Sequence, residues 1–389
     1  RELLTVIGEI LSSVIERYRV LAVRGQIELS VTPYAHPIMP LLLDLKSTHE
    51  AMPDASMPLL EKYPDGEARV RWHLQKGIET FKRIFGFEPK GCWPSEGSLS
   101  EATVSLLPEF GFTWTASGGN VLENSLNKSG FLDVEGEQVC RHNPYTVKEL
   151  STRCFFRDDG LSDLIGFTYT DWHADDAVAN FLHHLENIAD ACEKEPEENI
   201  VSIILDGENA WEYYPENGYH FLSALYKGLV EHPRLELTTY SQFLSEGLDK
   251  GHKEHSEATV LPCLVAGSWV YGTFSTWIGS ADKNRGWDML GDAKHCYDRV
   301  VGSGRLNEEK LVRAEHQLGI CEGSDWFWWF GDYNSAESVS DFDCLYRQHL
   351  SHLYQLLGEE PPEYLSHAFS HGNGDPAMGG AMRPGQESG

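Results

Sequence analysis

An α/β fold of parallel strands joined by helices, with a helical unit behind it, is predicted for this chain of 389 residues. Three observations predict it. Strand-like segments alternate with helix-length amphipathic patterns through roughly residue 240, the order of βα units. Residues 200–205 (IVSIIL) form a continuous apolar run of strand length, as expected of a parallel strand buried on both faces. After about residue 260 the strand pattern fades and helical periodicity takes over.

The elements follow in order. Residues 2–20 place Leu3, Leu4, Ile7, Ile10, Leu11, Val14 and Ile15 at helical spacing, and residues 27–31 alternate like a strand that stops at Thr32-Pro33. A helix over 67–85, a short strand at 91–93, a helix over 100–109 and a strand at 112–115 come next. A long irregular stretch precedes a strand at 165–168 and a helix over 175–193. Beyond the 200–205 strand lie a helix over 217–231 and a strand at 235–238 (LELT). Helices around 283–301, 307–320 and 336–357 form the second unit. This divides the chain into a strand-bearing unit over 1–262, a helical unit over 263–365, and a tail over 366–389 rich in Gly, Pro, Ser and His.

Composition narrows the function. Lys and Arg number 31 against 60 Asp and Glu, a formal charge of −29, and no basic run exceeds two residues. Nucleic acid and anionic lipid are disfavoured as partners, and neutral polar molecules or uncharged polymers are favoured. No apolar run of about 18 residues is present to span a membrane. Eight cysteines without a CxxC pair argue against a zinc ribbon or a disulfide framework, and point to reduced thiols and a cytoplasmic location. HKEH (252–255) and HLSH (349–352) lack the HExxH arrangement of zinc hydrolases, so no metal and no cofactor are expected. Neither a GxxxxGK[ST] nor a GxSxG motif occurs.

Functional side chains of parallel α/β folds gather at the carboxyl ends of strands. Three such ends are unusual here: TPYAHPI (32–38) around His36, GCWPSEGS (91–98) with Trp93 and Glu96, and LDGENAWE (205–212), where Asp206 follows the buried run. A lone carboxylate at such a place is most simply a helix cap or an ion-pair partner. Two of them suit glycoside hydrolysis, which needs one carboxylate at the sugar carbon and another to carry the proton. On spacing alone Glu208 and Glu212 compete with Asp206. Tryptophans crowd into GSDWFWWFGDYN (323–334) and GSWVYGTFSTWIGSADKNRGW (267–287), beside Asp325, Asp332 and Asn334. Core packing is the ordinary role of any one tryptophan, but aromatic faces mixed with hydrogen-bonding groups suit a polyhydroxylated ligand.

Taken together, GQIELSVTPYAHPIMPLL (25–42), GCWPSEGS, LDGENAWEYYPENG (205–218), TWIGSADKNRGWDML (276–290) and EGSDWFWWFGDYNSAE (322–337) resemble glycoside hydrolase family 57, the α-amylase, amylopullulanase and 4-α-glucanotransferase group. The amylopullulanase-like branch is the nearest in GSDWFWW and DGENAWE. The resemblance implies an incomplete (β/α)7 barrel with an appended C-terminal helical bundle, and a retaining hydrolase of α-glucans such as starch, glycogen, maltooligosaccharides or pullulan. It implies Glu96 as nucleophile and Asp206 as general acid/base, which selects among the three acidic residues of DGENAWE. His36, Trp93, Asp325 and Trp326 fall where the family lines the sugar subsite, and Trp211 and Trp277 within the matching segments are further substrate-binding candidates.

The family's first motif, a His-Gln-Pro-like segment on the first barrel strand, is absent from this sequence, and Ala281-Asp282-Lys283 stands where relatives carry a Pro-Glu-containing stretch. The strand carrying that first motif is expected upstream of Arg1 or on a separate polypeptide, leaving an unpaired edge beside 27–31 or 200–205 or a gap beside the Glu96–Asp206 pocket. Competing readings are a 4-α-glucanotransferase on the same scaffold, a sugar-binding or structural subunit without turnover, and a metal-dependent deacetylase or α-mannosidase on a related barrel.

Overall fold

Amphipathic periodicity becomes helix wherever one face can be buried, and in the computed structural model, which describes residues 2–130, 141–192, 199–207, 211–249 and 259–374, the longer helices fall close to the periodic segments. They are α1 (Glu2–Val23), α2 (Gly66–Phe85), α3 (Gly119–Ser129), α4 (Ala174–Cys192), α5 (Tyr219–Glu231), α6 (Tyr240–Asp249), α7 (Ala281–Gly302), α8 (Glu308–Cys321) and α9 (Ala336–Leu357), of which α3, inside the stretch read as irregular, and α6 were not expected. Side-chain caps set two starts: Asn307 accepts from the Lys310 amide before α8, and Ser335 from the Ser338 amide before α9. Gly86 (φ 83°) closes α2 in the left-handed conformation that a Cβ would disfavour. In α1 the apolar stripe is open instead, with Leu3, Leu4 and Leu11 largely exposed and no residue buried.

The strands are short: β1 (Gly91–Cys92), β2 (Trp114–Ser117), β3 (Tyr145–Val147), β4 (Arg153–Phe156) and β5 (Thr259–Leu261), in the order β1-β2-β4-β3-β5. β1 with β2, β2 with β4 and β3 with β5 run parallel. Val31 adds to β1 through a parallel bridge to Cys92, and Ser202 to β4 through one to Arg157. Two expectations fail. Residues 165–168 are not a strand but part of the helical turn Leu164–Thr168, and residues 235–238 enter no ladder among the described residues. The stretch read as irregular holds β3 and β4, which run antiparallel because a five-residue turn, with Lys148 at positive φ, folds one back on the other. Of residues 27–31, Val31 alone makes a bridge among the described residues.

The largest apolar core ignores the expected boundary at 262. Leu41, Leu42, Val70 and Leu74 pack in one cluster with Trp277, Trp287, Leu318, Tyr346 and Leu350. The tail also begins later than expected, since Ser370 is buried, its hydroxyl donates to Asp282 at 2.8 Å, and the Phe369 amide donates to Asp343 at 3.0 Å. A second cluster joins α4 and α5 to Ile165, Tyr169 and Tyr214, and a third sets Tyr240 and Phe243 of α6 against Trp114 and Phe155 of the sheet.

A fully buried carboxylate ties the first core together. Glu322 accepts from the Tyr63 hydroxyl at 2.6 Å, from Arg69 Nε at 2.9 Å and Nη2 at 2.8 Å, and from His73 Nε2 at 2.8 Å. Burial alone would raise this carboxyl, but Arg69 and His73 outweigh it and hold the group at about 2 against an ordinary 4.5. Stability from this network is therefore complete above pH 4.5 and is lost as pH falls toward 2. Removing one partner strands a buried charge, so Arg69→Met is expected to cost about 3–5 kcal/mol in urea unfolding at pH 7. Glu322→Gln is expected to flatten the acid limb of stability between pH 5 and 2.5, measured as the unfolding midpoint against pH. An acid limb as steep as that of the unaltered protein would assign the acid sensitivity elsewhere.

Candidate active site

Because β1, β2, β4 and the 200–205 segment are linked by parallel pairings, their carboxyl ends share one edge of the sheet. Glu96 leaves that edge after β1 and Asp206 leaves it after the 200–205 segment, and both are half-buried.

Glu96 sits in a tight turn at φ 55°, ψ 30°, a left-handed conformation uncommon for a residue with a Cβ, and Gly97 follows at φ 58°. The turn closes through Gly97 N to Pro94 O at 2.9 Å and Ser98 N to Ser95 O at 3.0 Å. Such strain persists only where the surroundings overdetermine it, and Trp269 is the principal restraint. Its amide donates to the Glu96 carbonyl at 3.2 Å, and its indole Nε1 donates to Glu96 Oε2 at 2.9 Å. Two bonds between Leu99 and Gly267, at 2.8 and 3.0 Å, zip the two loops together just beyond. The Trp269 ring meets Trp93 edge-on, with centroids 5.2 Å apart. Gly118, after β2, leaves room for this approach, since a Cβ there would stand 2.5 Å from Trp269 Cα.

Arg157, at the end of β4, extends the chain of contacts toward Asp206. Its guanidinium lies 5.6 Å from the Trp269 ring centroid. Nη1 donates to Asp159 at 2.9 Å, Nη2 to Asp163 at 2.6 Å, and Nε to the Ile204 carbonyl at 2.8 Å. Burial pushes the Asp159 carboxyl up, against the pull of Arg157. Ser162 accepts from the Ile204 amide at 3.2 Å and Ser202 from the Asp158 amide at 2.9 Å. The strand is thus clamped two residues before Asp206. Glu208 lies outside the described residues, and Glu212 is exposed.

The other expected residues divide. His36, in a loop where Ala35 (φ 57°) and His36 (φ 58°) are both left-handed, is fixed to the 322–324 segment: its Nδ1 is 2.7 Å from Ser324 Oγ and its carbonyl accepts from Ser324 N at 2.9 Å. Asp325, next in sequence, is exposed. Trp326 turns toward α8 and α9 instead, donating to the Ile320 carbonyl at 2.9 Å and packing on Tyr346, centroids 5.6 Å apart. Trp211 is half-buried against Tyr214 and Phe221. Trp277 must be corrected: it is 0% exposed inside the largest core, and a ring without a free face cannot stack on a sugar. His349 of HLSH packs on Trp326 and its Nδ1 accepts from Gln317 Nε2 at 3.0 Å, while HKEH lies outside the described residues.

Trp269 and Arg157 escaped the sequence reading. Trp269 stood in a recognised aromatic cluster, yet nothing local set it apart from buried Trp277 and Trp287. Arg157 in FFRDDG would have stood out as a basic residue ending an apolar run, had the 153–156 strand been recognised. Among the described residues no group of three or more His, Cys, Asp or Glu could hold a metal ion, and no helix is long and apolar enough to cross a membrane.

A family model described as glycosyl hydrolase family 57 matches residues 2–260. Among solved structures, the chain is similar to a branching enzyme of that family from Thermococcus kodakaraensis, with 16% identity and a TM-score of 0.62 over 92% of this chain and 70% of that one. An α-amylase from Thermotoga maritima gives 16% identity and 0.62 over 94% and 74%. A 4-α-glucanotransferase from Thermococcus litoralis gives 17% and 0.58 over 91% and 52%. A sequence search of curated proteins finds no match. The fold is the incomplete (β/α)7 barrel of these neighbours, with the mixed sheet described above.

The packing at Gly118 is testable. Gly118→Ala is expected to push the Trp269 loop off Glu96, changing the near-ultraviolet circular dichroism and cutting turnover at least about tenfold, while far-ultraviolet helix content stays the same. Unchanged near-ultraviolet signal and turnover would show that the loop accommodates the Cβ without moving Trp269.

Proposed function

As the chain belongs to glycosyl hydrolase family 57, we propose that it is a retaining glycosidase of α-glucans in which Glu96 is the nucleophile and Asp206 the general acid/base. The observation that carries this reading is the Glu96 turn: a strained carboxylate aimed by an indole N–H, on the strand-end edge from which Asp206 also emerges.

The chemistry runs in two displacements. Glu96 attacks the anomeric carbon as Asp206 passes its proton to the departing glycosidic oxygen, giving a covalent glycosyl-enzyme. Asp206, now ionised, takes a proton from water, which attacks that carbon and frees Glu96. The Trp269 N–H, donating to Glu96 Oε2, holds the carboxylate of the proposed nucleophile in one orientation. Trp93, edge-on to Trp269, offers an aromatic surface beside the reacting sugar. His36 follows the segment that Val31 bridges to β1, and its bonds to Ser324 tie that loop to the residue before Asp325, which supports a role for both in holding the sugar. When a sugar hydroxyl replaces water in the second displacement, the outcome is transfer, the activity named for the glucanotransferase among the neighbours.

Glu96→Gln and Asp206→Asn are each expected to lower turnover of maltooligosaccharides roughly a thousandfold or more with unaltered melting. Azide is the sharper measurement: added to Glu96→Ala it should yield the inverted glycosyl azide, and added to Asp206→Ala the retained one. Exchanged outcomes would reverse the roles, and no rescue in either would remove both. Product sizing on maltooligosaccharides and pullulan then sorts the activity. Shorter products mean hydrolysis, products longer than the starting chain mean transfer, and cleavage of pullulan supports the amylopullulanase-like reading.

A further inference from the structure

We propose that the cleft between the start of α4 and the start of α5 is a second α-glucan-binding site, holding sugar units remote from the bond that is cleaved. The proposal rests on the α-glucan reading above for its choice of ligand, and on separate geometry for its place.

The cleft has a volume of about 410 Å³, within the ~300–1,000 Å³ usual for small-ligand sites. Tyr169, Tyr214 and Phe221 form its floor, Trp172 one wall, and His173 and His220 part of its rim. The floor is rigid. The Tyr169 hydroxyl donates to Asn180 at 2.7 Å and the Tyr214 hydroxyl to the Ile165 carbonyl at 2.6 Å, so both polar tips are bonded away within the fold and the rings are held. Tyr214 and Phe221 centroids are 5.2 Å apart, and Trp172 leans edge-on against Tyr169 at 5.3 Å.

Exposure separates the wall from the floor. Tyr169 and Phe221 are 1% and 2% exposed, whereas Trp172 is 43% exposed. A large indole left open beside a preformed cavity is a stacking surface for the apolar face of a pyranose. With Nδ1 of His173 already accepting from Asp175 N and Nε2 of His220 3.5 Å from Glu216, the remaining ring nitrogens of the rim imidazoles can hydrogen-bond to hydroxyls. His173 is itself set by the Asp175 amide, which donates to its Nδ1 at 3.3 Å. The exposed Asp175 carboxylate and a formal charge of −29 disfavour an anionic ligand, which leaves a neutral one.

Topology supplies the link to catalysis. One side of the cleft follows β4 and the other follows the 200–205 segment, so both belong to the strand-end edge that carries Glu96 and Asp206. Tyr214 follows Asp206 by eight residues in sequence. A polymer engaged at the catalytic carboxylates has somewhere further to run along this edge.

The test uses the full chain carrying Glu96→Gln, to suppress turnover, and maltoheptaose as the probe in titration calorimetry. Trp172→Ala and His220→Ala, both at exposed positions, are added one at a time, with melting checked for each. Affinity for maltoheptaose is expected to fall about tenfold with Trp172→Ala and about threefold with His220→Ala. In the catalytically intact chain, Trp172→Ala should raise KM for amylose more than KM for maltotriose. Unchanged affinity in both variants, or a parent that does not bind maltoheptaose, overturns the proposal. Trp172-dependent binding in a chain that never turns over any α-glucan would support the second site and overturn the catalytic reading alone.

Discussion

A carboxylate with no water around it is tolerated only when every oxygen lone pair it needs is met, and Glu322 is such a group. Its three partners come from Tyr63 and from α2, more than 240 residues away in sequence. The bond set therefore cannot form until the segment before the helix Asp325–Trp329 has reached α2. Arg69 is further held over Trp72, 4.5 Å from its ring, and Gly319 of α8 leaves the room Trp72 occupies, since a Cβ there would be 2.5 Å from it. Once Glu322 is seated, Ser324 is in reach of both the ring and the carbonyl of His36. One buried charge thus positions the loop on which one end of the candidate site is built. It also explains why no separate helical unit can be cut from the molecule without opening its largest core.

The second constraint is local. A left-handed Glu96 stores conformational energy that the isolated turn would release, and the two Trp269 bonds offset it only while Gly97 and Gly118 let the indole approach. Trp269 lies beyond residue 260, where the family match ends, yet it serves a turn that lies well inside it. Arg157 joins that restraint to the strand leading into Asp206 through bonds to two carboxylates and one carbonyl. The two candidate catalytic groups are thus joined by a connected set of contacts through Trp269 and Arg157.

How much of this was legible follows from the range of the forces. Helices announce themselves because an apolar stripe recurs every turn, and α9 falls on the residues its periodicity marks. Strands of two to four residues have no room for a period, and β3 and β4 passed as irregular chain. Residues 165–168 (IGFT) have strand composition, yet the cap that Asp158 supplies to Leu161 N starts a helix that carries through them. That Glu96 and Asp206 follow parallel-paired segments was legible from strand-end logic, whereas their roles came only from the resemblance. The place of Trp277 was not legible, because burial is a tertiary property and its neighbours Trp287 and Trp328 are brought to it by helices elsewhere in the chain. Glu322 was invisible for the same reason, being one acidic residue among 60 until Arg69 and His73 arrive.

The charge balance completes the argument about recognition. Several buried charges among the described residues are matched: Glu322 by Arg69 and His73, Arg157 by Asp159 and Asp163, Asp343 by Arg347 at 2.7 Å. The acidic surplus of the sequence repels anions but offers no attraction to an uncharged polymer. A neutral glucan gains nothing from steering, so its affinity must come from contact: flat apolar faces laid on rings, and hydroxyls met by side chains already in place. Rings held by their own hydrogen bonds supply that contact with little ordering left to do on binding, and this is the condition of Trp269 against Glu96, and of Tyr169 and Tyr214 beneath Trp172.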